Sequence, residues 1–522
     1  MISTASPRDV GVVTPREHSG FWRYALPASL LSPLLLSLAY PKTNVAWFAF
    51  FALVPLFLLW ARASWKQALF CGWLAGTIMF MLLFRWMTHS IGDFVGNWSW
   101  LALFLMSAIE GFSLAVVAVV TALVGRGSFR AAAVFAAPAA WLLVEMVRTR
   151  GSLGVPFGEL GAVAAHLPWL LPIAAFAGVY GLTAIIALCN GALAGIIGGT
   201  PAARATGTIT LLALVLLIAA GDFARSHVVV AQPTVPVAVA QGNISQRVKW
   251  SPQIFSQTIS IYADLTRQAA ARGARVVVWP ETAITSFPLQ NPELLGALQS
   301  LAHDSGVWII AGTVDRPAND RYYNTMLDLT PQGRVGGVYH KVWLVPFAEY
   351  LPLDQYLRGL PLMDNISRFA RGPGPHLLSA AQLQWGILVC YESAFAPYAR
   401  QTANAGADAL IVATDDAWFG TSAGPYEHAD AARIDAVQTG RWIVRGADTG
   451  ISQIIDPKGD IVQSLPLDRM GIIVANVGTG VTTPYDRFGV FWLVVLAVLA
   501  LLAGLIPRPS SAAGWRSKRG QK

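Results

Sequence analysis

The chain has 522 residues, of which 54% are hydrophobic and only 13% are Asp, Glu, Lys or Arg. Soluble proteins average about 25% charged residues, so this composition excludes an ordinary soluble protein and, equally, an intrinsically disordered one. The net charge is +8, but residues 230–487 contain nineteen Lys/Arg and twenty-two Asp/Glu, so the basic excess lies in the other, more apolar parts. Cations flanking apolar segments are typical of membrane proteins, and this pattern gives no support to nucleic-acid binding.

Eight apolar segments are long enough, or nearly so, to cross about 30 Å of hydrocarbon as helices. They lie at 21–40, 45–61, 67–88, 98–124, 131–147, 169–198, 206–222 and 488–506. We predict a multi-span α-helical membrane domain, with the first helix uncleaved because no convincing small-x-small cleavage site follows it. The chain then divides into a membrane domain of about seven helices (1–224), an extramembrane domain (225–487), and a last helix with a basic tail (488–522).

The basic residues predict the orientation, because cytoplasmic loops carry an excess of Lys and Arg. With the N-terminus inside, the cytoplasmic loops and tails hold Arg8, Arg16, Arg23, Arg62, Lys66, Arg126, Arg130, Arg204, Arg508, Arg516, Lys518, Arg519 and Lys522. The short loops on the other side hold only Lys42, Arg148 and Arg150. We therefore predict that both termini are cytoplasmic and that the extramembrane domain faces the opposite side.

The extramembrane block alternates β-rich runs with amphipathic stretches. The predicted strands are 235–243, 275–279, 307–314, 385–390, 409–413 and 472–477, and the predicted helices are 254–271, 292–304, 394–404 and 426–440. The turn sequence at 456–459 adds an antiparallel hairpin. Buried strands that alternate with helices predict a layered α/β domain.

Only three cysteines are present, and their positions separate them. Cys71 and Cys189 fall in predicted membrane helices, where a thiol behaves as a small apolar side chain. Cys390 is alone in the extramembrane block and follows the apolar run Trp385-Gly-Ile-Leu-Val. At the end of a strand, with a helix predicted next, its thiol is either simply buried or exposed for nucleophilic chemistry.

Two other segments supply partners for a reactive thiol. The strand that ends in Trp279-Pro-Glu281-Thr places a carboxylate at its tip, and Tyr339-His-Lys341 places a cation in an apolar context. An acid, a cation and a thiol at loop ends make a base, an oxyanion stabiliser and a nucleophile.

These three segments, in this order, resemble the nitrilase (carbon–nitrogen hydrolase) superfamily. The resemblance implies an αββα sandwich in which Glu281 is the general base, Lys341 the catalytic lysine and Cys390 the nucleophile. The surrounding helices extend the likeness to the apolipoprotein N-acyltransferase family of bacterial inner membranes. The stretches that match are 240–243 with Trp250, 346–352, 390–392, 417–420, the region of Arg441 and Arg445, and 178–181.

The resemblance implies a function and a location. A fatty acyl chain passes from a phospholipid to Cys390 and then to the N-terminal amine of diacylglyceryl-cysteine in an apolipoprotein, with no cofactor or metal. The resemblance also implies an enzyme that spans the inner membrane, with its catalytic domain expected on the periplasmic side. The alternative is a membrane-tethered amidase of the nitrilase type, in which water resolves the acyl-enzyme. A metal site is not expected, because no Cys/His pair has ligand spacing.

Seven further residues are candidates for support or substrate binding. The matched motifs imply that Glu349 positions Lys341 or the attacking amine, that Glu392 supports the loop after the thiol, and that Tyr391 packs while its N–H serves the oxyanion. Trp250, Trp418 and Phe419, together with Trp343, are candidates for an acyl-chain entrance, although aromatic residues at a membrane surface are equally typical of plain interfacial anchors.

The chain departs from the family's usual pattern at Trp343, Ala348, Asp415 and Asp448. The last two stand where Asn is common. An extra acid beside the thiol opposes thiolate formation unless its side chain points away, so these departures leave the identity of the acyl acceptor open.

Two other classes of protein are less consistent with the sequence. Gly420-Thr-Ser422-Ala-Gly424 formally matches a serine-hydrolase elbow, but the preceding apolar run ends near Ala413, and His428 is the only later histidine. A transporter would account for the helices and for Arg85, Glu110 and Glu145, but it leaves the thiol and its partners unexplained.

Overall fold

A computed structural model describes residues 18–228, 232, 234–317, 321–357 and 366–505. The cytoplasmic charges predicted at Arg8, Arg16 and from Arg508 onwards lie outside the described residues. So does residue 506, the last of the eighth predicted span.

Helices dominate residues 18–226 and return at the end of the described chain. They are α1 (His18–Ser37), α2 (Val54–Trp60), α3 (Trp65–Leu83), α4 (Met87–Val95), α5 (Ser99–Gly125), α6 (Phe129–Ala131), α7 (Ala137–Arg148), α8 (Ala174–Gly198), α9 (Pro201–Ser226) and α17 (Phe491–Leu505). Each of the eight predicted apolar segments overlaps at least one of them.

Length and composition distinguish these helices. Among the described residues, five helical stretches are long and apolar enough to cross a membrane: Trp65–Gly92, Gly96–Gly125, Phe129–Arg148, Leu171–Gly198 and Pro201–Ser226. Two shorter apolar stretches are Ala46–Trp60 and Phe491–Leu505. The membrane domain predicted from the sequence is therefore present, while a total of eight crossings stays a prediction.

The extramembrane block contains two six-stranded sheets. The strands are β1 (Val235–Gln241), β2 (Val276–Val278), β3 (Trp308–Asp315), β4 (Tyr323–Leu329), β5 (Val335–His340), β6 (Leu377–Ala380), β7 (Leu383–Val389), β8 (Ala409–Thr414), β9 (Trp442–Ala447), β10 (Ser452–Ile455), β11 (Ile461–Leu465) and β12 (Gly471–Val477). Their orders are β12-β1-β2-β3-β4-β5 and β11-β10-β9-β8-β7-β6. Strands β1, β2 and β3 run parallel, as do β7, β8 and β9.

The sheets pack face to face, and the sequence shows why. Successive residues of a strand point to opposite faces. In β1, Val237 and Val239 lie in a core shared with Ile387 and Val389 of β7, whereas Ala238 and Ala240 face a separate core on the outside of the first sheet.

Helices cover both outer faces. The helices of this block are α10 (Gln246–Lys249), α11 (Pro252–Ala271), α12 (Pro292–Ser305), α13 (Asp354–Leu357), α14 (Ala396–Asn404), α15 (Gly424–Thr439) and α16 (Pro484–Phe488). Residues of α11 and α12 line the core outside the first sheet, and residues of α14 and α15 line the core outside the second. The fold is the predicted αββα sandwich, and the hairpin predicted at 456–459 joins β10 to β11.

Helix α15 is buried on two sides. Ala432 and Ala436 pack beneath the second sheet, while Ile434 and Val437 belong to the core formed by the membrane helices. Opposite them, α8 is kinked at Gly178, whose φ is +62°. A Cβ there would lie 2.7 Å from the ring of Tyr485, so only glycine allows this approach. The catalytic and membrane halves therefore share one packed interface.

Candidate active site

The three predicted catalytic residues follow strands that end at one edge of the sandwich. Glu281 lies in the loop after β2, Lys341 comes directly after β5, and Cys390 directly after β7. Strand β5 pairs antiparallel with β4, and β4 antiparallel with β3, so β5 runs in the same direction as β3 and β2. The ends of these three strands therefore bring the acid, the cation and the thiol to the same place.

The acid and the cation are in direct contact. The Lys341 Nζ atom donates to Glu281 Oε1 at 3.1 Å and to Glu349 Oε1 at 3.0 Å. Asn324 donates to both carboxylates, at 2.7 Å to Glu281 and 2.9 Å to Glu349. Lys341 and Asn324 thus each contact both Glu281 and Glu349.

Burial and charge set the protonation states here. Burial acts to raise the pKa of Glu281, but Lys341 and the Asn324 hydrogen bond outweigh it and hold this pKa below its usual value. Burial acts to lower the pKa of Lys341, but Glu281 and Glu349 raise it well above the usual value. For Cys390, burial and the Glu281 charge raise the pKa well above its ordinary value, although Lys341 opposes them. At neutral pH the site therefore holds a carboxylate, an ammonium and a neutral thiol.

The backbone at the thiol is strained. Cys390 has a φ of +50°, a region that non-glycine residues rarely adopt and that costs about 1–3 kcal/mol. It begins a 3₁₀ turn, Cys390–Ala394, at the sharp junction between β7 and α14. Such strain persists only where surrounding contacts fix the backbone.

Glu392 supplies part of that support. Its side chain is fully buried and accepts hydrogen bonds from the backbone N–H groups of Val389 (2.7 Å), Val342 (2.6 Å) and Trp343 (3.0 Å). Burial raises the pKa of Glu392 to about 7, while these N–H donors act to lower it. One carboxyl group therefore ties the loop after Lys341 to the nucleophile's turn.

Tyr391 connects the site to the membrane domain. Its hydroxyl donates to the carbonyl oxygen of Gly154 at 2.7 Å, and Tyr350 likewise donates to the carbonyl oxygen of Ser152 at 2.7 Å. Both acceptors lie in the loop between α7 and α8. The ring of Tyr391 packs edge-on against Phe395, with centroids 4.9 Å apart.

The four candidate aromatic residues differ in their surroundings. Trp250 is 49% exposed. Trp343 stacks on Phe395 of the same domain, with ring centroids 4.8 Å apart. Phe419 packs edge-on against Trp86 of the membrane domain, with ring centroids 4.9 Å apart. Trp418 is partly buried, and its carbonyl oxygen accepts from Ser90 of α4. Trp250 is thus the candidate with an open face, whereas Trp418 and Phe419 line the junction of the two halves.

The structure adds a buried hydrogen-bond chain beneath Cys390 that the sequence analysis missed. Arg445 donates to Asp416 at 2.9 Å, Asp416 faces His428 at 2.9 Å, and the His428 Nε2 atom lies 3.0 Å from the carbonyl oxygen of Cys390. Ser393 also donates to that carbonyl, at 2.8 Å. Burial acts to raise the pKa of Asp416, but Arg445 and His428 outweigh it and lower this pKa to about 2. This chain is a second support for the strained turn.

Asp415 and Asp448 do not face the thiol as free acids. Both form ion pairs with the buried Lys249, at 2.6 and 2.9 Å. The extra acids at these two positions therefore have a local counter-charge.

The alternative sites find no geometric support among the described residues. The Ser422 hydroxyl accepts from the N–H of Gly424 at 3.2 Å, and His428 pairs with Ser393 rather than with Ser422. Two of the charged residues in the membrane helices make contacts inside the protein. Glu110 lies 3.8 Å from Arg148, and Glu145 accepts from the N–H of Leu160 at 2.9 Å. Arg85 is exposed.

Comparison with known proteins covers both halves of the chain. The profile described as "Carbon-nitrogen hydrolase" matches residues 236–487, and the profile described as "Apolipoprotein N-acyltransferase N-terminal domain" matches residues 32–192. Among solved structures, an amidase of the nitrilase superfamily from Nesterenkonia is 18% identical, with a TM-score of 0.38, over 48% of this chain and 93% of that one.

Curated relatives match nearly end to end. The apolipoprotein N-acyltransferase of Geobacter metallireducens is 32% identical over 92% of this chain and 95% of its own. That of Vibrio parahaemolyticus is 33% identical over 87% of this chain and 91% of its own. That of Pseudomonas aeruginosa is 32% identical over 93% of this chain and 95% of its own. With both profiles matched and the site assembled, the chain belongs to the apolipoprotein N-acyltransferase family, whose members are membrane-bound enzymes of the carbon–nitrogen hydrolase superfamily.

Proposed function

We propose that this enzyme takes a fatty acyl chain from a phospholipid as a thioester on Cys390 and transfers it to the N-terminal amine of diacylglyceryl-cysteine in an apolipoprotein. One observation carries the proposal: a nucleophile, base and cation of the nitrilase type lie on a domain whose helix α15 is packed into the core of the membrane helices. An amidase acting on small soluble amides has no need of that arrangement. Substrates anchored in a bilayer by their acyl chains do need it.

In the first step Glu281 accepts the thiol proton as the sulfur attacks the ester carbonyl of the phospholipid. The carboxylate is a weak base and the thiol a weak acid, so proton transfer and attack must proceed together. Negative charge then develops on the carbonyl oxygen, where the ammonium of Lys341 and the backbone N–H after Cys390 stabilise it. The carbon–oxygen bond breaks, Glu281 returns the proton to the leaving alkoxide, and a lysophospholipid departs.

In the second step the α-amine of the lipoprotein attacks the thioester carbonyl. Glu281 accepts a proton from the attacking nitrogen, Lys341 again stabilises the oxyanion, and the sulfur leaves and is reprotonated. The product is an amide, which is more stable than the thioester that it replaces. Glu349 keeps Lys341 in place through both steps, because its two oxygens lie 3.0 and 2.9 Å from the ammonium nitrogen.

The acceptor is tested by following the thioester itself. We expect purified enzyme given phospholipid alone to accumulate one fatty acyl mass on Cys390, because a transferase must exclude water until an amine arrives. Intact-protein mass spectrometry detects the adduct. Adding a diacylated lipopeptide should remove it and yield a triacylated peptide. Rapid release of free fatty acid, with no adduct and no acylated peptide, would contradict the proposal and favour the amidase.

We also propose that the catalytic domain is periplasmic and that both termini are cytoplasmic. The support is the distribution of basic residues among the loops. In a background without native cysteines, a thiol reagent that cannot cross the inner membrane should label Asp304→Cys, which is exposed on α12, but not Arg126→Cys at the end of α5. Equal labelling of both positions in sealed cells would contradict this topology.

A further inference from the structure

Lys249 is an unusual lysine because its side chain is completely buried. It is the last residue of α10 and immediately precedes Trp250. Its Nζ atom lies 2.6 Å from Asp415 Oδ2, 2.9 Å from Asp448 Oδ2 and 3.2 Å from the carbonyl oxygen of Glu281. One ammonium therefore joins three segments that follow strands β8, β9 and β2.

Asp448 and Asp415 each make further hydrogen bonds. Asp448 Oδ1 accepts from the Tyr262 hydroxyl at 2.9 Å and from the N–H of Ile244 at 3.1 Å. Asp415 accepts from Lys249 through its side chain, and its own backbone N–H donates to Glu281 Oε2 at 3.0 Å. Lys249 is thus linked to the catalytic carboxylate twice: through the carbonyl of Glu281 itself and through Asp415.

The charges of this cluster do not cancel. Burial acts to lower the pKa of Lys249, but Asp415 and Asp448 outweigh it and raise this pKa. Burial raises the pKa of Asp415 to about 6, although Lys249 opposes it. When both acids are ionised, one ammonium faces two carboxylates. Removing the ammonium leaves two buried negative charges beside Glu281, an arrangement that is strongly unfavourable.

We propose that Lys249 is a positioning residue for the reaction: by holding Asp415 and Asp448 together it fixes the carboxylate of Glu281 and anchors the segment that carries Trp250. The proposal rests on the proposed roles of Glu281 and Cys390, but it does not depend on the identity of the acyl donor or acceptor. Lys249 touches no reacting atom. Its effect is transmitted through the general base.

The test measures the reactivity of Cys390 toward iodoacetamide, which needs no lipid, in a background with Cys71 and Cys189 replaced by alanine. A general base contributes about 10²–10⁴-fold, so Lys249→Met, which displaces the base, should slow alkylation at least about tenfold. Adding Asp415→Asn and Asp448→Asn to Lys249→Met removes both unpaired charges and should restore most of the rate. The matched control is Lys458→Met in the partly exposed β10–β11 turn, which should react like wild type.

A double-mutant cycle with Glu281→Gln separates positioning from general stabilisation. If Lys249 acts through the base, Lys249→Met should slow alkylation much less when Glu281 is already Gln. Thermal unfolding in detergent reports the fold of each variant. The proposal is overturned if Lys249→Met reacts like wild type, if the triple variant is as unreactive or as unfolded as Lys249→Met, or if the loss is equal in the Gln background. A wild-type enzyme that alkylates normally but transfers no acyl chain would count against the proposed function alone.

Discussion

Cys390→Ala should lower acyl transfer at least about 1,000-fold, because it removes the atom that bonds to the acyl group and leaves only residual binding and polarisation. The fold should survive. The change removes one sulfur atom, and the contacts that hold the turn go to the backbone of Cys390 and to Glu392, which the substitution leaves in place. Appearance of triacylated lipopeptide, followed by mass spectrometry, measures the loss.

Two internal controls are available for this prediction. Cys71 and Cys189 lie on α3 and α8 of the membrane domain, and the predicted consequence of replacing either with alanine is close to wild-type transfer. If Cys390→Ala retained more than a few per cent of activity while inserting normally, a thioester on this residue would be ruled out.

Glu281→Gln should block the first step, with thioester formation slowed about 10²–10⁴-fold, the usual contribution of a general base. The buried thiol has a raised pKa and depends on that base. The amide is isosteric and leaves Lys341 paired with Glu349. The measurement is the rate at which the acyl mass appears on Cys390 after phospholipid is added.

Glu293→Gln provides the matched control, because Glu293 is an exposed residue in the first turn of α12. It should acylate at the wild-type rate. An undiminished acylation rate in Glu281→Gln would mean that another group accepts the thiol proton. Glu349, which also contacts Lys341, would then be the next candidate.

Glu281 and Cys390 were predictable as site residues because each immediately follows a short apolar run. The runs before Glu281 and Cys390 are almost purely aliphatic, so their strand character and their ends are evident from hydrophobicity alone. The arrangement of parallel strands then brings those ends together. The alternation of such runs with helices predicted a layered α/β domain, and the turn sequence at 456–459 predicted the hairpin between β10 and β11. The αββα sandwich was implied by the family resemblance.

Three of the four strands that were missed carry polar or glycine residues inside the sheet. Strand β4 includes the buried Asp328, β5 includes Gly336 and Gly337, and β9 includes the fully buried Arg445. These residues break the alternation on which a strand prediction depends. Asn324 was missed for the same reason, since it lies in β4.

Lys249 was missed for a different reason. It follows Arg247 in a short polar stretch that is typical of a solvated surface, and the partners that bury it are about 170 and 200 residues away in sequence. Only tertiary structure brings a counter-charge to such a residue. The charge state of Asp415 and Asp448 could not be understood before that partner was known.

The double burial of α15 has a consequence for how this enzyme meets its substrates. A domain joined by a flexible tether samples many heights above a bilayer, whereas one that contributes a helix to the membrane core is held at a single height. The Cys390 sulfur is then held at a fixed height relative to the bilayer. Lipids and lipoproteins must bring their scissile ester or free amine to that level, so the distance from an acceptor's acyl anchors to its amine becomes a criterion of selection. The excised domain would no longer be held at a fixed height, and it would expose Ile434 and Val437 to water.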